Sequence, residues 1–121
     1  MTIGDCILLV DQIKPNQFAV EDKLRWLSFC DAMITEEVLK THEGYSPAPF
    51  IPYGKDDMEK YLIAQAPYDQ LYIEFIKMKI DEENGETQRY NNSAVIFNGY
   101  YIDYKKWYNR THKPKALNIY V

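Results

Sequence analysis

The last third of the chain carries aromatic and small apolar residues at helical spacing. Intervals of three and four positions place them on one face of a 3.6-residue period. These residues are Tyr90, Ala94, Phe97, Tyr101, Tyr104 and Tyr108. The pattern predicts one long helix over residues 87–111, about 37 Å in length at 1.5 Å per residue. Because a stripe of large rings needs a covering surface, this helix is expected to form a core or a protein contact.

A first helix is predicted at the start of the chain. Thr2 is suited to cap its first turn, and Asp5 completes a capping box with Asp in the place of Glu. Proline cannot continue a helix, so Pro15 ends this one near Lys14. Its apolar face consists of Ile3, Cys6, Ile7, Val10 and Ile13.

A second helix is predicted over residues 20–41, with Gly44 as a stop just beyond it. The inward positions are Leu24, Leu27, Cys30 or Asp31, Ile34 and Val38, and the spacing does not choose between Cys30 and Asp31. We expect five of the charged side chains of this helix to lie in solvent. They are Glu21, Lys23, Glu36, Glu37 and Lys40.

Residues 45–57 break the helical pattern. Three prolines alternate here with three aromatic residues: Pro47, Pro49 and Pro52 with Tyr45, Phe50 and Tyr53. The prolines favour extended backbone, and the rings predict packing onto the helices or onto a neighbouring subunit. Beyond this segment, Asp56 or Asp57 is predicted to cap a short helix through Ile63. Its inward residues are Met58, Tyr61 and Leu62.

A third helix is predicted to begin at Pro67, with Asp69 in its first turn, and to end at Asn84 and Gly85. Its inner side consists of Tyr68, Leu71, Tyr72, Phe75, Ile76, Lys79 and Ile80. Because only a short turn leads to the long helix, the two should pack as an antiparallel hairpin. The second helix is expected to pack across this hairpin. Central core positions are predicted at Tyr90, Phe97, Tyr101, Leu71, Phe75, Leu27 and Ile34.

The predicted fold is therefore all-α, a small helical bundle built on a long antiparallel hairpin with a proline- and aromatic-rich loop. We assign residues 1–114 to one helical domain and residues 115–121 to a C-terminal tail, either a short strand or a docking segment. A chain of 121 residues is long enough to bury a real core. Eleven tyrosines suit half-buried faces and interfaces, although large residues in a small core explain most of them.

The net charge of −4 hides a polarity along the chain. Residues up to Glu86 carry eight basic and seventeen acidic side chains, whereas the remainder carries six basic side chains and only Asp103. The basic side chains at the end of the long helix are Lys105, Lys106, Arg110, Lys113 and Lys115. They suit an acidic face of a neighbouring subunit, a nucleic-acid phosphate backbone, or merely a solvated helix end stabilised by the helix dipole. Nucleic acid is the less favoured partner because the whole protein is acidic.

The residues offer no constellation for catalysis, a cofactor or a metal, and an enzyme is not expected. His42 and His112 lack companion ligands at metal spacing and are expected to cap helix ends or face solvent. Asp81, Glu82 and Glu83 are interpreted as a solvated carboxylate run. Cys6 and Cys30 lie in apolar patterns, where they should behave as small buried hydrophobes in a reducing cytoplasm. Because no apolar stretch approaches eighteen residues, a membrane partner is not expected either.

Several segments together resemble a family of small prophage proteins encoded among virion structural genes. The resemblance rests on residues 3–5, 14–17, 25–27, 40–44, 66–72, 89–93 and 107–112. These read IGD, KPNQ, RWL, KTHEG, APYDQLY, RYNNS and WYNRTH. Such proteins are similar to the head–tail connector (adaptor) proteins of tailed bacteriophages. Gln65, where the pattern usually has proline, and the tail after Pro114 depart from it.

That resemblance implies a helical subunit that joins a ring between the portal and the tail. Its partners would be the portal, tail-side neck proteins and further copies of itself. Its location would be the host bacterial cytoplasm during assembly and then the virion. Protein contacts are expected through Tyr45, Phe50, Tyr53, Lys105, Lys106, Arg110, Lys113 and Lys115. The alternative is a small phage-encoded regulator that binds nucleic acid through the basic helix end.

Overall fold

The computed structural model describes residues 1–44 and 48–115 of the chain. These ranges contain four α-helices: α1 (Ile3–Ile13), α2 (Val20–Glu37), α3 (Gln70–Glu83) and α4 (Thr87–Thr111). Short 3₁₀ helices lie at Leu39–Thr41 and Lys55–Asp57. Since the described residues form isolated bridges but no strand, the predicted all-α class is confirmed.

Helices α3 and α4 form the largest packing surface in the described part of the chain. A short turn joins them at Gly85, whose φ of +70° is accessible to glycine at little cost. Phe75 of α3 lies 5.2 Å from Phe97 of α4, measured between ring centroids. Tyr68, just before α3, lies 6.0 Å from Tyr104 near the other end of α4. The two helices therefore run in opposite directions.

The capping box predicted for α1 is present. The Asp5 backbone N–H donates to Thr2 Oγ1 at 3.0 Å, and the Thr2 backbone N–H reaches Asp5 Oδ2 at 3.5 Å. Two further N–H groups of this helix terminus, those of Ile3 and Gly4, donate to backbone carbonyls of residues 60 and 58 at 2.9 Å. A Cβ on Gly4 would lie 3.1 Å from the residue-58 carbonyl oxygen. Glycine therefore permits this close approach of the two segments.

This backbone pairing explains why the predicted short helix through Ile63 is wrong. The carbonyls of residues 58 and 60 are engaged with the start of α1, so they are not available to a helix of their own. Helical structure ends at Asp57, and Tyr61 forms a bridge with Thr2. Tyr61 is exposed rather than turned inward, whereas Leu62 is buried and Met58 partly buried as expected.

Helix α2 ends earlier than predicted, and one of its charges is not in solvent. The helix ends at Glu37, with the Val38 N–H still donating to the Ile34 carbonyl at 2.8 Å, and the chain continues as the 3₁₀ turn Leu39–Thr41. Lys23 was expected in solvent but is 3% exposed, with its ammonium 2.7 Å from Asp11 Oδ1. Both candidates for the middle inward position, Cys30 and Asp31, are buried.

Helix α3 begins at Gln70, so the prediction that Pro67 is its first residue is wrong. Pro67 belongs to a preceding turn in which the Tyr68 N–H donates to the Gln65 carbonyl at 2.9 Å. The Ala66–Pro67 peptide bond is cis. The other end of α3 also differs from expectation, because Asp81 is 1% exposed rather than solvated.

The negative charge of Asp81 is balanced by Lys14, the residue that follows α1. Lys14 Nζ lies 2.7 Å from Asp81 Oδ1, as an ion pair without hydrogen-bond geometry. Burying a lone carboxylate is costly, so a paired cation is the expected companion. The sequence run Asp81 to Glu83 gave no sign that its first member faces inward.

The buried core joins all four helices and the segment before α3. Its largest fully buried side chains include Tyr72, Tyr104, Leu27, Ile34, Leu62, Leu71, Ile76 and Ile80. Six of the seven predicted central residues are buried, whereas Tyr90 is only partly buried beside the core. Within the described residues, no helix combines the length and apolar character needed to cross a membrane.

Replacing Phe97 by alanine tests the packing of α4 on α3. The ring is 6% exposed and contacts both Phe75 and Tyr101. Its loss should lower the free energy of unfolding by about 3–5 kcal/mol, the range typical of a large core side chain. Chemical denaturation measures this, with the exposed Asn98→Ala as control. Equal stability of the two variants would show that Phe97 is not part of the core.

Candidate interaction surface

The five basic residues predicted as a contact site lie together at the C-terminal end of α4 and just beyond it. We name Lys105, Lys106, Arg110, Lys113 and Lys115 the basic end. All but the half-buried Lys105 are exposed. The Lys105 ammonium lies 4.6 Å from the Tyr101 ring centroid, a cation–π contact. Lys113 Nζ lies 3.8 Å from Glu43 Oε2 on the exposed surface, a pair of small energetic value.

Backbone pairing holds the last described residues against the end of α2. The Glu43 N–H donates to the Lys113 carbonyl at 2.8 Å, and the Lys115 N–H donates to the Thr41 carbonyl at 2.9 Å. Residues 113–115 therefore have a fixed course instead of extending away from the helix. The remainder of the predicted tail, residues 116–121, lies outside the described residues.

Aromatic rings lie beneath the basic end and contact one another. We name Tyr68, Tyr104, Trp107, Tyr108, His112 and His42 the terminal aromatic cluster. Tyr108 and His112 stack at 3.8 Å with an interplanar angle of 2°, and Trp107 lies 5.5 Å from Tyr68. These faces are engaged within the protein, which leaves less ring surface for an external partner.

His42 ties this cluster to the end of α2. Two placements were predicted for both histidines, capping a helix end or facing solvent: His42 is 2% exposed and does not face solvent, whereas His112 is exposed. The Nδ1 of His42 lies 2.6 Å from the Val38 carbonyl oxygen, and its Nε2 lies 2.8 Å from Asn109 Oδ1. The prediction that His42 caps a helix end is therefore confirmed, and His42 joins α2 to α4 as well.

The opposite end of the α3–α4 pair is acidic. We name Glu82, Glu83 and Glu86 the acidic turn, and all three are exposed. Two basic side chains neutralise part of its charge: Lys79 lies 3.7 Å from Glu82, and Arg89 lies 3.0 Å from Glu86. Helix α4 thus carries negative charge beside its first residue and positive charge at its last turn.

The proline- and aromatic-rich segment packs onto α2 where the structure describes it. The Tyr53 N–H donates to Ser28 Oγ at 2.8 Å, and the Tyr53 hydroxyl donates to Asp31 Oδ2 at 2.5 Å. Phe50 lies 5.3 Å from the Tyr53 ring in an edge-to-face contact. Tyr45, the third predicted contact residue of this segment, lies outside the described residues.

A shallow apolar groove of about 400 Å³ lies between this segment and α2. Phe29, Ala32, Phe50 and Pro52 contribute to its walls. Beside it, Ile51 is 78% exposed and Phe29 60% exposed. Exposed aliphatic and aromatic side chains of this kind are suited to protein contacts.

Asp31 is a buried acidic residue that the sequence pattern does not single out. Its carboxylate is fully buried and accepts hydrogen bonds from the Tyr53 hydroxyl, the Tyr72 hydroxyl and the Ile63 backbone N–H. Three segments of the chain therefore meet at one side chain. Burial raises the pKa of the Asp31 carboxyl from 3.8 to about 6, while the three hydrogen bonds oppose that rise.

The sequence did contain a signal for this residue. Asp31 shares the inward position of α2 with Cys30, and an acidic residue at a core position requires donors. The abundance of tyrosine supplies candidate donors. The periodicity cannot tell which tyrosines reach it, because Tyr53 and Tyr72 are far from Asp31 in the chain.

The chemistry of the two cysteines follows from their burial. Burial raises the pKa of the Cys6 thiol to about 12 and also raises that of Cys30. Both therefore stay protonated at neutral pH, a poor state for a nucleophile or a metal ligand. Among the described residues, no group of three or more His, Cys, Asp or Glu side chains is placed to hold a metal ion.

Comparison with known proteins adds no relative: no family model, no curated protein and no solved structure matches the chain.

The buried carboxylate predicts an unusual pH dependence of stability. Because the folded protein binds the Asp31 proton more tightly than the unfolded chain does, this group's contribution is complete below about pH 4. This contribution to the free energy of unfolding is lost as the pH rises through 6. The loss is about 3 kcal/mol for a pKa shift from 3.8 to about 6. Asp31→Asn should therefore gain stability relative to the wild type by about that amount between pH 4 and pH 7.

Denaturation of both proteins at a series of pH values measures this difference, with the exposed Asp56→Asn as control. Parallel curves for the wild type and Asp31→Asn would contradict the prediction. If Asp31→Asn does not fold, NMR titration of the wild-type carboxyl replaces it. A midpoint near 4 in that titration would contradict the prediction equally.

Proposed function

We propose that the chain is a structural subunit that works through protein–protein contacts in the neck of a tailed-phage particle. The sequence resemblance implies the place, a ring between the portal and the tail. The observation that supports a structural role most strongly is the separation of charge along α4. Complementary ends on one rigid helix are a direct means for copies of a subunit to recognise each other.

In this proposal the acidic turn of one copy meets the basic end of the next. Such a contact joins two different surfaces, so it is heterologous and continues from copy to copy until the rotation closes a ring. The long α4 keeps the two surfaces about 37 Å apart at 1.5 Å per residue. Portal and tail-side proteins would then bind the faces of the ring.

The proline- and aromatic-rich segment supplies a second contact in the same proposal. Tyr53 is held on Asp31 and Ser28, so its position is set by the chain's own core. Next to it, Ile51 is directed into solvent. The segment would therefore present Ile51 and the edge of Phe50 to a neighbour from a rigid base. The host bacterial cytoplasm during assembly, followed by the virion, would be the corresponding location.

Electron cryomicroscopy of assembled particles tests the place directly. The expected result is a ring of density in the neck that fits α3 and α4. Particles made with Arg110→Glu should lose this density, whereas Lys55→Glu, an exposed lysine outside the basic end, should keep it. An intact neck without density for this chain would reject the proposal.

The alternative function, nucleic-acid binding through the basic end, is less well supported by the geometry. The Tyr108 ring is stacked on His112, and Trp107 packs against Tyr68, so neither ring is fully open to a base. Fluorescence anisotropy with duplex and single-stranded DNA should therefore show no binding even at low salt. Tight binding that weakens steeply with salt, and is lost in Arg110→Glu, would favour the alternative.

A further inference from the structure

Helix α4 has an outer face that is unusual for a surface helix. From Tyr90 to Ile102 it contains no charged residue. Val95 is 72% exposed, Ile96 45% and Ile102 47%. The outward side of a surface helix normally carries charged and polar side chains. An aliphatic patch of this kind on an uncharged stretch is typical of a contact surface.

Gly99 lies at the centre of this patch. Its φ is not in the left-handed region, and a Cβ added to it would meet no atom within 4 Å. Neither its own backbone nor a neighbouring side chain therefore requires glycine, which costs stability in a helix interior. A missing side chain does, however, allow a second backbone to approach the helix closely at this point.

The aliphatic residues are placed symmetrically about Gly99, because Ile96 and Ile102 each lie three residues from it. In an antiparallel pair of α4 helices centred on Gly99, Ile96 of one copy lies opposite Ile102 of the other, and this contact occurs twice. At 1.5 Å per residue, Arg110 lies about 16 Å from the centre and the residue preceding α4, Glu86, about 20 Å on the other side. The basic end of each copy therefore lies level with the acidic turn of the other.

The charges at the two ends of α4 favour a second copy of this chain over an unrelated partner on this face. In the described part of the chain, no carboxylate lies within ion-pair distance of Lys106 or Arg110. In the acidic turn, Glu83 likewise has no basic partner among the described residues. A reversed second copy brings Arg110 of each chain close to the level of the other chain's acidic turn, on either side of the aliphatic centre.

We infer that the outer face of α4 is a two-fold interface, in which a second copy of this chain packs antiparallel across Gly99. The dimer uses both charged ends of each copy, so it is closed and does not grow. It would therefore compete with the ring contact of the proposed function. Free chains would stay dimeric until a template separates the two copies. The inference does not depend on that function, since it concerns the free chain alone.

Cysteine cross-linking of the full chain tests both the contact and its direction. Gly99 lies on the two-fold axis, so Gly99→Cys should form a disulfide-linked dimer under mild oxidation. Gln88→Cys alone should not, because its two copies would be about 33 Å apart along the helices. A mixture of Gln88→Cys and Arg110→Cys should cross-link as a heterodimer. Leu8→Cys, at an exposed position on α1, is the control, and the buried Cys6 and Cys30 set the background.

Sedimentation velocity over a concentration series gives the independent readout. The wild type should be a dimer that Ile96→Asp converts to a monomer, whereas Leu8→Asp should remain dimeric. Arg110→Glu should weaken the dimer at least tenfold, and Arg110→Glu combined with Glu86→Lys should restore it. A wild type that stays monomeric, a Gln88→Cys self-cross-link, or growth into larger species through this face would overturn the inference.

Discussion

The structure depends on the covering of the aromatic face of α4 by α3. Phe97 and Tyr104 have little contact with water. Their partners are Phe75 of the antiparallel neighbour α3 and Tyr68 in the turn that precedes it. Ring-on-ring packing of this kind buries a large apolar area with few degrees of freedom. It also fixes the separation between the two charged ends of α4, on which the proposed contacts rely.

A second constraint comes from buried polar groups that connect distant segments. Asp31 gathers the proline- and aromatic-rich segment, the residues before α3 and α3 itself around one carboxylate. His42 does the same for the ends of α2 and α4. Such groups are costly unless all their partners are present, so they specify one arrangement of the helices instead of simply adding stability.

The sequence predicted the elements with strong periodicity and missed those set by tertiary contacts. The bounds of α4 follow from its regular stripe, and the capping box of α1 follows from Thr2 and Asp5. A short helix is wrongly predicted before α3, because the backbone there pairs with the start of α1 and no local pattern reveals this contact. The burial of Lys23 and Asp81 is not predicted from the sequence, because their partners, Asp11 and Lys14, are distant in the chain. The bond of His42 to Asn109 is missed for the same reason.

Hydroxyl-radical footprinting of the full chain, read residue by residue by mass spectrometry, tests the central claim most directly. If the rings of α4 are covered by protein, Phe97 and Tyr104 should be protected as strongly as Tyr72 in the core. The exposed Tyr61 should be modified rapidly in the same sample. Modification of Phe97 and Tyr104 at the rate of Tyr61 would show that the face is open, and it would contradict this account of the protein.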